Sequence, residues 1–198
     1  KFDGVNDTVD TGLPGATTFT SDDNYTLEIA FNMNEVTAQG NQYGEGDTSV
    51  IFGSIYWCGY GIYWRTGSTN AYDLYVGHRY VERTNVSTIE WLYKKITNVR
   101  QKNIVTQVYN RSNNKLFMYL NGEKVGEDDM SIEDDKEYDV AEYMGNIMIN
   151  DKKTFNGNPR SVYSNMNVYS VRIYDRALTE SEAKINQEVD RKRFNLDK

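Results

Sequence analysis

The chain has 198 residues, 38% hydrophobic and 13% aromatic, with 16 Tyr, one His, one Cys and a formal net charge of -7 at pH 7. That length suits one domain over residues 1–198 with a core that needs no staples. The acidic balance, without a basic stripe, argues against nucleic acid as a partner. A lone Cys58 allows no intrachain disulfide, one Cys and one His cannot make a four-ligand Cys/His zinc site, and no apolar run is long enough to insert in a membrane.

The first residues, Lys1-Phe2-Asp3-Gly4-Val5, are already strand-like and carry no signal-peptide pattern, which reads as a domain taken from a longer protein. The clearest periodic signal follows. In Tyr25-Thr26-Leu27-Glu28-Ile29-Ala30-Phe31-Asn32-Met33 every odd position is apolar, so Tyr25, Leu27, Ile29, Phe31 and Met33 share the buried face of a strand. Further strands are expected at 50–52, 61–64, 72–76, 104–109, 147–149 and 168–174, whereas 85–93 is ambiguous. Asn121-Gly122 marks a tight hairpin between 115–120 and 123–126, because both turn positions must take positive φ. Residues 127–142 are so acidic that they read as a solvated loop. Near the end, Thr179-Glu180-Ser181-Glu182 is a capping box for one helix, whose Leu178, Ile185 and Val189 form a stripe expected to dock on the sheet. Arg191, Lys192 and Arg193 suit its last turn, where cations oppose the helix dipole. Many short strands, turn residues between them and no helices alternating with strands predict an all-β, two-sheet antiparallel jelly-roll sandwich with a short C-terminal helix.

Three stretches carry a family likeness: the opening Phe2-Asp3-Gly4-Val5-Asn6-Asp7, the hairpin from Leu116 through Asn121-Gly122 to Val125, and the closing Val168-Tyr169-Ser170-Val171-Arg172-Ile173-Tyr174-Asp175-Arg176-Ala177-Leu178-Thr179. Together they resemble the laminin-G-like branch of the concanavalin A-like lectin/glucanase superfamily. The resemblance implies two antiparallel sheets with the first and last strands close together. It also implies a module that binds glycans or protein surfaces, or acts as a spacer, in an extracellular, cell-surface or phage structural setting. Fold by itself does not fix function.

The sequence argues against catalysis. Related glucanases carry a Glu-x-Asp-x-Glu strand, and Glu133-Asp134-Asp135-Lys136-Glu137 matches it literally. Yet Asp134 and Lys136 stand where apolar residues should bury the back of the strand, and the match lies within the acidic stretch. A Ser-His-Asp triad would have to use His78, and no Gly-x-Ser-x-Gly elbow accompanies it. No cofactor is required. Calcium is the ion that loop carboxylates would suit, with Asp22, Asp23 and Asp47 as candidate ligands.

Recognition has a stronger signal. Residues 54–65 hold five large aromatics in twelve positions. Rings can stack on sugar faces, and an adjacent Arg can bond a hydroxyl or carboxylate. Tyr56, Trp57, Tyr60, Trp64 and Arg65 are therefore the candidate ligand-binding residues. Strand alternation requires that about half of the aromatics here face the core instead. Gly59 and Gly61 favour a hairpin with Tyr56, Trp57 and Tyr60 near its tip.

Overall fold

A computed structural model describes residues 1–19, 23–35, 48–55, 59–66, 72–82, 87–96, 100–130, 138–139, 146–151 and 163–195. These form thirteen strands and two helices: β1 (Phe2–Asp3), β2 (Val9–Pro14), α1 (Gly15–Thr18), β3 (Tyr25–Glu35), β4 (Thr48–Ile55), β5 (Gly59–Thr66), β6 (Tyr72–Glu82), β7 (Ser87–Ile96), β8 (Asn103–Asn110), β9 (Lys115–Leu120), β10 (Glu123–Asp129), β11 (Tyr138–Asp139), β12 (Asn146–Asp151), β13 (Asn165–Tyr174) and α2 (Glu180–Phe194). Two antiparallel sheets face each other. Sheet A has the order β1-β13-β3-β8-β9-β10; sheet B has the order β11-β6-β5-β4-β12-β2, with β7 also paired to β6. In each sheet a late strand lies between early ones: β13 between β1 and β3, and β12 between β2 and β4. The first and last strands meet as the family likeness implies, with Phe2 opposite Met166 and Asp3 opposite Asn165.

The alternation in β3 works as the sequence predicts. Tyr25, Leu27, Ile29, Phe31 and Met33 are all buried in the core between the sheets. They meet Ile51, Phe52, Tyr60, Ile62, Trp64, Leu74 and Val76 from sheet B. At one end, Phe19 stacks on Tyr25 with ring centres 5.0 Å apart, and Tyr25 lies 4.9 Å from Tyr60 and 5.5 Å from Tyr109. The predicted hairpin also forms: Asn121 and Gly122 take φ of 53° and 77°, and the Asn121 side chain accepts from the Ile104 N–H at 2.9 Å.

Two expectations need correction. The acidic stretch is not one loop. β10 runs on to Asp129, and Tyr138–Asp139 pair with β6 as β11, while residues 131–137 lie outside the described residues. Cross-strand pairing explains the extension, since Lys115 on β9 contacts Glu127 at 2.5 Å and Asp129 at 3.1 Å. Lys115 and Lys124 together hold the Glu127 carboxyl down to about 2. The region around 85–93 becomes strand β7, in register with β6 from Tyr72–Ile96 to Val81–Ser87.

The second correction concerns α2. Its capping box is formed as predicted, with the Thr179 hydroxyl accepting from the Glu182 N–H and the Glu182 side chain accepting from the Thr179 N–H. The helix docks on the outer face of sheet A, but of the expected stripe only Leu178 is buried. Ile185 is 59% and Val189 50% exposed, while Ala183 and Asp190 are buried. Leu178 and Ala183 pack with Val108 and Tyr119 in a small second cluster. Thr26 fixes the approach to the helix: its hydroxyl donates to the Arg176 carbonyl at 2.9 Å and accepts from the Leu178 N–H at 3.0 Å.

Beneath α2 lies a buried ionic network. Arg172 on β13 contacts Glu28 at 2.7 Å and Asp190 at 2.6 Å. Thr106 donates to the other Glu28 oxygen at 2.9 Å, and Ser170 donates to Asp190. Glu28 and Asp190 are both wholly buried. Burial pushes the Glu28 carboxyl above its ordinary value, against the pull of Thr106 and Arg172. Burial also works on Asp190, but its bonds to Arg172 and Ser170 outweigh it and hold that carboxyl below the usual range.

Candidate functional site

The described part of the aromatic stretch singled out by the sequence lies in β4 and β5, which pair as far as Ile55 opposite Gly59. Tyr56 and Trp57 lie outside the described residues. Tyr60 and Trp64 are 1% and 3% exposed, and both belong to the central core. The Tyr60 hydroxyl donates to the Gly15 carbonyl at 2.9 Å, and the Trp64 indole N–H donates to the Ser164 hydroxyl at 2.7 Å. Burial pushes the Tyr60 phenol well above its ordinary value. These two rings therefore have no face left for a ligand, and the expected ligand set loses them to the core parity of β5.

The other parity of β5 carries Gly61 and Tyr63 on the outer face of sheet B. Tyr63 stands opposite Tyr75 on β6, which stands opposite Tyr93 on β7. The rings of Tyr63 and Tyr75 are stacked, with centres 4.9 Å apart and planes 13° from parallel. Both are half-buried. On one side of this pair runs a row of glycines, Gly53, Gly61 and Gly77, with Trp91 in register beyond them. All three glycines are buried. A Cβ on Gly53 would sit 2.5 Å from both the Gly61 Cα and the Tyr60 carbonyl oxygen, so β4 and β5 approach too closely here for any other residue. On the opposite side of the tyrosines, Arg65, Asp73 and Lys95 follow one another in register. Of the expected ligand residues, Arg65 is in β5 opposite Thr48 and Asp73, and its side chain lies outside the described ones.

The floor under this face is braced from within. Gln107 on β8 is fully buried and donates to the Gly77 carbonyl at 2.9 Å and to the Tyr25 hydroxyl at 3.0 Å. The half-buried, stacked pair of tyrosines can stack a ring and bond hydroxyls at its edge. Tyr63, though one of the five aromatics of residues 54–65, and Tyr75 are not among the ligand residues expected from the sequence. The signal that finds them is parity: once Ile62 and Trp64 face inward, Tyr63 must face outward.

The described residues bring no three His, Cys, Asp or Glu side chains together as a metal group. Asp23 is exposed, and Asp22 and Asp47 lie outside the described residues, as do Cys58 and the Glu133–Glu137 pentad. His78 is a strand residue of β6, opposite Tyr60 and Glu90. No helix among the described residues is long and apolar enough to cross a membrane.

The architecture is that of an antiparallel two-sheet β-sandwich, a class with carbohydrate-binding modules among its members. The fold is similar to the CBM40 module of the Ruminococcus gnavus IT-sialidase, solved bound to α2,3 sialyllactose. The TM-score is 0.62 at 14% identity, covering 94% of this chain and 97% of that one. It is also similar to the binding domain of Botulinum neurotoxin DC in complex with rat synaptotagmin II. There the TM-score is 0.56 at 11% identity, covering 85% of this chain and 36% of that one. The binding domain of botulinum neurotoxin serotype D gives a TM-score of 0.57 at 14% identity, covering 85% and 37%. The chain thus spans little more than a third of the toxin binding-domain chains. No protein-family model and no curated protein matches the sequence. At these identities the likeness carries the fold alone.

Proposed function

We propose that residues 1–198 act as one non-catalytic carbohydrate-binding module of the laminin-G-like kind, displayed on an extracellular, cell or virion surface, with its ligand on the outer face of sheet B. The stacked, half-buried Tyr63–Tyr75 pair on sheet B is the observation that carries this reading, with Arg65 two positions along β5 from Tyr63. Tyr56 and Trp57, which precede β5 in the chain, remain candidates from the sequence. The sugar-bound CBM40 module supports a glycan as the partner class. The absence of catalysis rests on the single His78 and on the charged residues inside the Glu133–Glu137 motif. A second reading, an adhesion or spacer domain that binds a protein surface, is favoured by the toxin domain solved with synaptotagmin.

A glycan array with the wild type, Tyr63→Ala and Tyr75→Ala tests the first reading. The expected result is a discrete set of sugars bound by the wild type and lost, by about tenfold or more, in both variants at unchanged melting temperature. An array without hits overturns it and leaves the protein-binding reading, which a pull-down on a surface-protein panel then addresses.

A further inference from the structure

The outer face of sheet A is covered by α2 along only part of its length. Beyond the end of the helix, at Asn195, the face is made of amides. On β3, Asn32 and Asn34 flank the buried Met33; on β13, Asn165 and Asn167 flank the buried Met166. Tyr169 stands where the register of β13 shifts between Val168 and Ser170. These side chains are tied into one chain of hydrogen bonds across the two strands. The Tyr169 hydroxyl donates to Asn32 Oδ1 at 2.7 Å. Asn167 Nδ2 donates to Asn32 Oδ1 at 3.1 Å and to Asn34 Oδ1 at 2.8 Å. Asn34 Nδ2 donates to Asn165 Oδ1 at 3.0 Å.

All five residues are half-buried, so they face solvent rather than a packed layer. Fixing four amides and a tyrosine costs side-chain entropy, and here no core is sealed in return. The fixation leaves the chain with open ends. Asn167 Oδ1 accepts from no described residue, and Asn165 Nδ2 donates to none. The result is one open acceptor on Asn167 and one open donor on Asn165, two positions apart on β13. A sugar hydroxyl both donates and accepts, so hydroxyls of one ring can meet both. Tyr169 is itself held in place. Lys102 Nζ lies 5.6 Å from its ring centre and bonds the Phe194 and Asn195 carbonyls at 3.2 and 2.8 Å.

We infer that Asn32, Asn34, Asn165 and Asn167, with Tyr169, form a second carbohydrate site on sheet A that takes hydroxyls of a sugar ring. It shares no residue with the Tyr63–Tyr75 face and stands whether or not that face binds.

The test follows the side-chain amide signals of these four asparagines by NMR while methyl β-galactoside, methyl β-glucoside and methyl α-mannoside are titrated to millimolar concentrations. Saturable shifts at Asn165 and Asn167 are expected with at least one glycoside. They should be kept in Tyr63→Ala and weakened about tenfold in Asn167→Ala at wild-type melting temperature. Should Asn167→Ala not fold, Asn165→Ala removes the open donor at the end of the chain and gives the same reading. The site is overturned if none of the three sugars shifts these signals. It is also overturned if a folded variant binds as the wild type does. Shifts confined to Tyr63 and Tyr75 would sink this site while sustaining the one on sheet B.

Discussion

Arg172 grips Asp190 with both ends of its guanidinium, NH1 at 2.7 Å from one carboxylate oxygen and NH2 at 2.6 Å from the other. This fork joins the last strand to the last helix and, through Glu28, to the second sheet neighbour, β3. A planar two-point bond fixes direction as well as distance, so it sets the angle at which α2 lies on the sheet.

Removing Arg172 leaves two wholly buried carboxylates, Glu28 and Asp190, without their cation. Arg172→Ala is therefore expected to cost about 3–5 kcal/mol, the range for breaking a buried pair. Urea unfolding followed by tryptophan fluorescence measures it. A cost below about 1 kcal/mol would mean that the helix is held by its apolar contacts alone.

The same network makes stability depend on pH in two opposite senses. Asp190 titrates lower in the fold than in the unfolded chain. Its contribution is present above the ordinary carboxylate value and is lost as pH falls through the folded value. Glu28 titrates higher in the fold. Its protonation therefore adds stability as pH falls from the raised value to the ordinary one, and that addition is absent above the raised value. Comparing wild type with Glu28→Gln cancels the other carboxylates. The wild type should gain on the variant as pH is lowered from neutral towards the ordinary glutamate range; a constant difference across that window would contradict the buried environment of Glu28.

Two glycines with positive φ should respond differently to alanine. At Gly53 the added Cβ would meet backbone at 2.5 Å, which cannot yield. Gly53→Ala is expected to cost well over 3 kcal/mol or to prevent folding. At Gly122 the obstacle is the end of the Gln187 side chain, 1.6 Å away but free to swing aside. Gly122→Ala should cost about 1–2 kcal/mol, mostly from the left-handed backbone. Thermal melts of the two variants rank them, and adding Gln187→Ala to Gly122→Ala should recover only a small part.

On α2, the exposed and docked faces can be separated by charge. Ile185→Lys and Val189→Lys should change stability by less than about 0.5 kcal/mol, because both side chains already face water. Ala183→Asp places a carboxylate against Val108 and Tyr119 and should cost more than about 2 kcal/mol. Equal effects in the two sets, read from denaturant midpoints, would show that the helix docks through its apolar stripe after all.

That last contrast shows where sequence reading stops. β3, the Asn121-Gly122 turn and the Thr179 capping box are local devices, and each is visible within a few residues. The docking face of α2 is not local. It is chosen by Arg172 on another strand, which draws Asp190 inward and rolls Ile185 and Val189 out to solvent. The ligand face is a middle case. The aromatic density of residues 54–65 drew attention to β5, and the alternation rule warned that half of those rings belong to the core. Assigning Tyr60 and Trp64 inward and Tyr63 outward needed the partner strand, because the row that matters runs across β5 and β6 rather than along either. The Asn cluster on β3 and β13 is still less visible, since its members lie more than 130 positions apart in the chain.

The late strands have a consequence for how the chain is made. Synthesis delivers β1 and β3 long before β13, and β2 and β4 before β12, yet those early strands lie apart until the late ones slot between them. During that interval the apolar row of β3 has no partner on its β13 edge, and neither sheet can close. A nascent chain of this kind stays open to wrong pairings and to chaperones until nearly all of it has left the ribosome, and its folding is governed by the arrival of residues 146–174.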